Sequence, residues 1–374
     1  MIFLLLPAIL ILGLLLWLVG AIWLVVKAFR ESTGSGLAYM LIPFSLLHYG
    51  PTRWPKTKTP FIMLAAGFGV LLLFVFVLAP FIFSHILTHA SSRPADREIK
   101  TSALHAGVTF QEVQFASADG VTLAGWYLPR ESSPVTIVYC HGLFRSRLEM
   151  LERAEKFSQQ GYAGLLMDFR RHGKSGEAMT SMGYLERLDV IGAVHYLKDS
   201  LRIQTPIVVY GVSMGAAAAL LAAAEEPKIA GLIIDSSFLS FDETITHHAK
   251  LFFNLPKFPV ASALIMFTKW RAGFTPENFD LRHAVQKIGD RPILFMAGAK
   301  DTRMPPEIAQ TLYAASPSSH KNIVIIPNAS HGAAFRTDPE TCTKAILSCL
   351  QAVEKIYQLN LQTGSLPYGK DATP

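Results

Sequence analysis

The sequence is short of several things at once. Cysteine is scarce, with Cys140, Cys342 and Cys349 the only three in 374 residues. The last two stand seven apart on one face of a predicted helix, about 10 Å apart along its axis, which is too far for a disulfide. No disulfide framework and no Cys/His metal-ligand spacing is present, so a stapled secreted scaffold and a zinc module are not indicated, and the cysteines leave the compartment open. Charge is also sparse. Charged residues make up 17% of the chain, the formal net charge is +6, and no long basic run occurs. Nucleic acid is therefore not expected as a partner.

What the sequence has in excess is apolar surface, at 51% of residues. Two uninterrupted apolar runs, Ile2 to Val26 and Phe61 to Phe83, each exceed the roughly 20 residues needed to span a hydrocarbon core and are expected to be transmembrane helices. The first differs from a cleavable signal sequence: it lacks a basic start, its core is too long, and no small-residue cleavage site follows. Pro7 and Pro80 are expected near the ends of the spans, where a lost backbone bond costs least. Ala65 and Gly69 form a small-xxx-small pair expected to face the first helix. Between the runs, Lys27, Arg30, Arg53, Lys56 and Lys58 stand against one acid, Glu31. The positive-inside rule makes that loop cytoplasmic and puts everything after Ser84 on the extracytoplasmic side of a multi-pass cell-membrane protein, with membrane lipids around the anchor. Arg93, Arg97 and Lys100 give a rival signal beyond the second run. Leu37 to Leu47 is too short to span and is expected along the membrane surface.

The chain then changes character. Residues 1–90 form the predicted anchor, 91–101 a polar linker, 102–360 a separate domain, and 361–374 a tail without periodicity, expected to be disordered. Within 102–360, the strands Val108–Phe115 and Thr122–Leu128 flank the turn Ala118-Asp119-Gly120 as a hairpin. Continuous apolar strands at 135–139, 163–167, 229–234, 291–296 and 322–326, together with the β-branched run that opens the stretch Pro206–Ala224, alternate with helical stretches. That alternation predicts an α/β fold, a mostly parallel sheet covered on both faces and led by the antiparallel hairpin. Residues 238–289 interrupt it with about fifty residues, long enough to need structure of their own, and are expected to form a small helical cap.

The chemistry centres on Gly211-Val-Ser213-Met-Gly215. A β-branched run leads into it and an Ala/Leu run leads out, which is the strand–turn–helix setting in which G-x-S-x-G has physical meaning. Ser213 is expected at the apex of a strained turn as a nucleophile. The glycines mark places where strand and helix pass too closely for a Cβ. A serine nucleophile needs a base, and the base needs an orienting acid, both on loops at the carboxyl ends of strands. His331 and Asp301 fit those positions in the order Ser, Asp, His. Asp235 is the runner-up acid. His195, His247, His248, His283 and His320 lack the placement. The oxyanion donors are expected to be the backbone N–H groups of Met214 and of Leu143, the latter in the loop His141-Gly142-Leu143, with His141 bracing the loop.

These motifs together resemble the α/β-hydrolase-fold serine hydrolases, over about Val108 to Tyr357. The matches are His141-Gly142, the stretch Asp168-Phe-Arg-Arg-His-Gly-Lys-Ser175, GVSMG, Asp235-Ser-Ser-Phe238, Asp301 and His331. The sequence is especially similar to membrane-anchored members loosely labelled serine aminopeptidase-like hydrolases. The resemblance implies an α/β-hydrolase fold, a Ser213–His331–Asp301 triad, and Asp168 and Arg170 as loop-holding residues. Families with aspartate or cysteine at the elbow (haloalkane dehalogenases, epoxide hydrolases, dienelactone hydrolases) are disfavoured by Ser213. Acidic cap residues able to hold a peptide amino-terminus are not identifiable, and Ala216 stands where proline-specific peptidases usually carry a second Gly.

The expected activity is cleavage of a small-molecule carboxylic ester or thioester, with an acyl or lipid substrate suggested by the anchor and by Phe252, Phe253, Leu255, Phe258, Phe267 and Trp270. Ordinary cap core is the stronger expectation for those side chains. An aminopeptidase or amidase with the same triad, and a catalytically silent membrane-bound scaffold, are the alternatives. The chemistry calls for no metal and no organic cofactor, and the oligomeric state is open.

Overall fold

The computed structural model describes residues 2–42, 44–97 and 109–364. They divide into two compact units, Met1–Phe83 with Lys257–Leu264, and Ser84–Pro256 with Ile265–Pro374.

In the first unit, α1 (Ile2–Glu31) is followed by two short helices, α2 (Thr33–Leu41) and α3 (Ser45–Thr52), then α4 (Lys58–Leu73), one π-turn at Phe74–Leu78 and the start of α5 (Ala79–Thr88). Two helical stretches, Leu6–Glu31 and Lys58–Thr88, are long and apolar enough to cross a membrane. Their side chains are largely exposed, unlike those of a soluble core helix: Leu15, Ile22, Phe68 and Leu73 are each at least half exposed. α1 and α4 pack closely because glycine lies at the contact. A Cβ on Gly20 would stand 2.4 Å from the Leu64 nitrogen, and one on Gly67 2.3 Å from the Trp17 nitrogen. The expected Ala65/Gly69 pair is not the contact. Ala65 is exposed and nothing lies within 4 Å of a Cβ on Gly69, since at 100° per residue the face through Leu64 and Gly67 excludes both.

Pro80 does not end the second span either. Proline removes one helical bond and crowds the carbonyl four residues earlier, and the π-turn just before it takes up that misfit, so the helix runs on to Thr88. The segment 37–47, expected to be one stretch, is divided between α2 and α3. The unit also includes Lys257–Leu264, whose turn Lys257–Ala261 packs against Phe74–Leu78. Part of the expected cap thus groups with the apolar helices.

The second unit is built on an eight-stranded sheet in the order β1-β2-β4-β3-β5-β6-β7-β8. β1 (Gln111–Ala116) and β2 (Thr122–Leu128) form the leading antiparallel hairpin, and β2 pairs antiparallel with β4 (Ala163–Met167). β3 (Thr136–Cys140), β5 (Ile207–Val212), β6 (Ile229–Asp235), β7 (Ile293–Gly298) and β8 (Lys321–Ile326) are all parallel. β3, β4, β5 and β7 are buried at every position, as their continuous apolar runs require of a sheet covered on both faces.

The helical cover follows in chain order. Pro94–Arg97 forms α6, a single turn, and Leu151–Gln159 forms α7; α8 is Glu186–His195 and α9 Met214–Glu225. Between β6 and β7 come α10 (Phe241–Phe253), α11 (Ser262–Ala272) and α12 (Leu281–Gln286), so the insertion at 238–289 carries helices as expected. After β7, α13 (Pro306–Ala315), the short α14 (Ala334–Thr337) and α15 (Pro339–Thr363) complete the chain. α15 reaches three residues into the stretch expected to be disordered, and 365–374 lie outside the described residues, as do 98–108 of the linker and first strand. Cys140, Cys342 and Cys349 are buried and free.

Two expectations need correction here. The first concerns the linker: Ala90, Ser92 and Asp96 are buried, and Ala90, Ser92 and Arg93 are hydrogen-bonded to loops of the eight-stranded sheet's unit. The polarity of Ser92 serves those bonds, while Arg93 keeps its side chain in solvent. The second concerns the cap aromatics. The core between cap and sheet is Phe238, Phe241, Phe274 and Phe279 with Tyr184, in mutual ring contact. Phe252, Phe253, Phe258 and Trp270 are instead exposed, from 55% to 77%.

Candidate active site

Four strand ends converge on one group. β5 ends at Val212, and Ser213 follows with φ 54° and ψ −113° before α9 begins. A non-glycine residue in that region is strained and persists only where its surroundings over-determine it. Here the Ser213 N–H donates to the Asp235 carbonyl at 2.9 Å. Gly211 is needed because its Cβ would meet the Gly215 carbonyl oxygen at 2.3 Å. Gly215 answers a different crowding: its Cβ would stand 2.3 Å from the Cys140 oxygen at the end of β3, so the close approach is to the neighbouring strand. Ala216, Ala217, Ala218 and Ala219 are fully buried beneath it.

The loops after β7 and β8 bring the two partners. Asp301 Oδ2 lies 2.7 Å from His331 Nδ1, and His331 Nε2 lies 3.0 Å from Ser213 Oγ. A carboxylate can only accept, so Nδ1 carries the proton and Nε2 is left to accept from the serine hydroxyl. Asp301 is buried, and its other oxygen accepts from the Arg303 and Met304 N–H groups at 3.0 and 2.9 Å. Its orientation is thus fixed from both ends. Lys300 N–H donates to the Ala329 carbonyl at 2.9 Å, tying the two loops together. Ser213 and His331 keep partial exposure, so the hydroxyl can be reached.

The loop after β3 lies alongside. A Cβ on Gly142 would stand 3.5 Å from the Ser213 Cβ. The Arg145 N–H donates to the Gly142 carbonyl at 3.2 Å, closing a turn with Leu143 inside it. Met214 is the first residue of α9, where helical N–H groups have no internal partner. Among the described residues, neither the Leu143 nor the Met214 N–H donates to another group.

His141 is fully buried. Its Nδ1 lies 2.7 Å from the Gly142 carbonyl, and its Nε2 accepts from the Phe169 N–H at 3.1 Å. Burial, followed by the nearby His172, holds its pKa well below the ordinary value. A neutral imidazole with both nitrogens engaged braces the loop. Asp168 takes the Arg147 guanidinium at 2.9 and 2.7 Å and the Lys174 N–H at 2.9 Å, while Arg170 is shared by Asp189 and Asp119. Both hold loops, as the resemblance implied.

Asp235, the runner-up acid, is placed otherwise. Its Oδ1 accepts from Ser236 Oγ at 2.9 Å and its Oδ2 faces Arg153 at 3.7 Å, and burial raises its pKa. It makes no hydrogen bond to His331.

Three supporting residues were not singled out from sequence. Glu149 Oε2 accepts the Gly142 N–H at 2.6 Å. Arg147 pairs with Asp168. Arg153 donates to the Tyr210 hydroxyl at 3.1 Å and to the Gly332 carbonyl, next to His331, at 3.2 Å. The available signal was Arg147-Leu-Glu149-Met-Leu-Glu-Arg153, a charged start to a helix directly after the His-Gly loop.

The strand order and the elbow at Ser213 are those of the α/β-hydrolase fold. Residues 132–271 match the family model described as serine aminopeptidase, S33, a stretch that contains Ser213 and ends before Asp301 and His331. The chain is 27% identical to the uncharacterized protein YqkD of Bacillus subtilis, over 71% of this chain and 90% of that one. An uncharacterized membrane protein of Saccharomyces cerevisiae is 25% identical over 60% of this chain and 74% of its own. Among solved structures, the Pyrococcus furiosus esterase Pf2001 superposes with a TM-score of 0.55 at 26% identity, covering 66% of this chain and 91% of the esterase.

Proposed function

We propose that the chain is a membrane-anchored serine hydrolase that cleaves a carboxylic ester or thioester through an acyl-enzyme. The observation that carries this reading is the hydrogen-bonded series Asp301–His331–Ser213. Ser213 Oγ attacks the acyl carbon as its proton passes to His331 Nε2. The carbonyl electron pair moves onto oxygen, where the Leu143 and Met214 N–H groups hold the oxyanion. Collapse expels the alkoxide or thiolate, which takes the proton back from His331. Water then repeats the sequence, releasing the carboxylic acid and restoring Ser213. Asp301 keeps the imidazole in the required tautomer and stabilises its charged form.

Two further features support a substrate from or near a bilayer. The helices containing the apolar runs leave their side chains exposed, and Phe252, Phe253 and Trp270 leave the cap with an exposed apolar face. Multi-pass anchoring with the hydrolase on the extracytoplasmic side is the topology that the charge pattern supports. An aminopeptidase is the second reading, favoured by the description of the matching family model. Against it, three of the four cap carboxylates that could bind a substrate ammonium are already paired: Asp242 with Lys269 at 2.6 Å, Glu243 with Arg282 at 2.7 Å, and Asp280 with Arg282.

The test is a fluorophosphonate probe applied to the detergent-solubilised full chain. Labelling at Ser213 is expected, and Ser213→Ala should remove it and lower ester turnover by roughly ten-thousand-fold or more. Labelling that survives Ser213→Ala overturns the mechanism. Faster turnover of aminoacyl amides than of nitrophenyl esters overturns the substrate class.

A further inference from the structure

The segment that leaves the second apolar helix does not pass the hydrolase unit by. Ser92 is buried, and its Oγ donates to the Arg145 carbonyl at 2.5 Å while accepting the Gly173 N–H at 2.8 Å. The next residue, Arg93, donates its N–H to the Phe144 carbonyl at 2.9 Å, and Asp96 pairs with the Arg145 guanidinium at 3.7 Å. Phe144 and Arg145 complete the turn that contains Leu143. Upstream, the Thr180 hydroxyl donates to the Leu87 carbonyl at 3.1 Å and accepts the Ala90 N–H at 3.2 Å, and Arg171 Nε donates to the His89 carbonyl at 3.1 Å. The turn is therefore gripped from two sides. Glu149 holds the Gly142 N–H and pairs with Arg145 at 3.2 Å on one side, and residues 92–96 hold the 144 and 145 carbonyls on the other.

We propose that residues 88–96 are a strap that sets the position of the oxyanion turn, with Ser92 as the positioning residue for the Leu143 N–H donor. This inference rests on the serine-hydrolase reading. An oxyanion donor works only if it is aimed at the place where charge develops, so a few tenths of an ångström of drift in the turn weakens the transition state more than substrate binding. The strap touches neither Ser213 nor His331. Its loss is expected in kcat, not in KM.

The experiment compares Ser92→Ala with Thr180→Val in the full chain. Both cut strap bonds, but only Ser92 reaches the oxyanion turn. Ser92→Ala should lower kcat on a nitrophenyl ester about tenfold with KM within about twofold, and should weaken binding of an aryl trifluoromethyl ketone, held as a hemiketal oxyanion, by the same factor. Thr180→Val should lower the melting midpoint while leaving kcat and ketone binding within about twofold. If Ser92→Ala does not fold, Asp96→Asn carries the same split at about threefold. The strap proposal is overturned if the Ser92 and Asp96 variants keep wild-type kcat and ketone affinity. It is equally overturned if Thr180→Val loses kcat in step with its melting midpoint. Wild-type protein that takes no fluorophosphonate at Ser213 overturns the serine-hydrolase reading and the strap with it, whereas labelled wild type beside a fully active Ser92→Ala overturns the strap alone.

Discussion

Asp235 and Asp301 invite comparison. Asp235 ends one parallel strand, β6, and Asp301 follows another, β7; each is buried, and both strands end near Ser213. Asp301 spends one oxygen on two backbone N–H groups and the other on His331. Asp235 bonds Ser236 and faces the Arg153 guanidinium, while its backbone carbonyl takes the Ser213 N–H. One carboxylate is aimed at the imidazole and the other holds the elbow and the surrounding loops. Burial and strand-end placement therefore do not distinguish the two acids. The partner of the second oxygen does.

The sharpest way to break that contrast is to remove each charge. Asp301→Asn should keep the geometry but favour the wrong tautomer of His331, lowering kcat by roughly a thousand- to ten-thousand-fold, with melting little changed. A loss under about tenfold, measured as kcat on a nitrophenyl ester, would put Asp301 in a structural role.

Asp235→Asn should act the other way. It leaves the buried Arg153 uncompensated, so denaturant melts should show about 3 kcal/mol of lost stability, while kcat per folded molecule stays within about threefold. A large loss of kcat without loss of stability would exchange the two roles.

The smallest effect lies on the cap side of the Asp301 loop. Burial, then Arg303, His247 and His331, lowers the pKa of His248 on α10 to about 4. A depressed imidazole contributes stability above its unfolded pKa of about 6.5 that is lost as pH falls through the folded value. Melting midpoints taken from pH 7 down to 4 should therefore fall further for wild type than for His248→Gln. Parallel profiles would remove His248 from the account.

Much of this was legible beforehand because strand ends are set by local pattern. Apolar runs fixed where Ser213, Asp301 and His331 would emerge, and a parallel sheet brings such emergence points to one edge. Arg153 was hidden because its partner, the Gly332 carbonyl, belongs to a distant loop, and Glu149 because a charged helix start looks solvent-facing even when the loop just before it folds back onto it. Ser92 was hidden for the same reason: a Ser in a polar stretch is usually wet, and nothing local says that Arg145 and Gly173 will meet it. The cap aromatics show the converse limit. Composition gave the cap its apolar side chains, but which of them pack inward depends on how α10 and α11 are turned.

Every native thiol of this chain is shielded. Cys140 and Cys342 are fully buried and Cys349 nearly so, and burial raises all three thiol pKa values, those of Cys342 and Cys349 to about 12. A maleimide reagent needs an accessible thiolate and should ignore the folded protein. Single cysteines introduced at Ser32, in the loop between the apolar helices, or at Lys257 can therefore report which side of a membrane each occupies, with no cysteine-free background to build first.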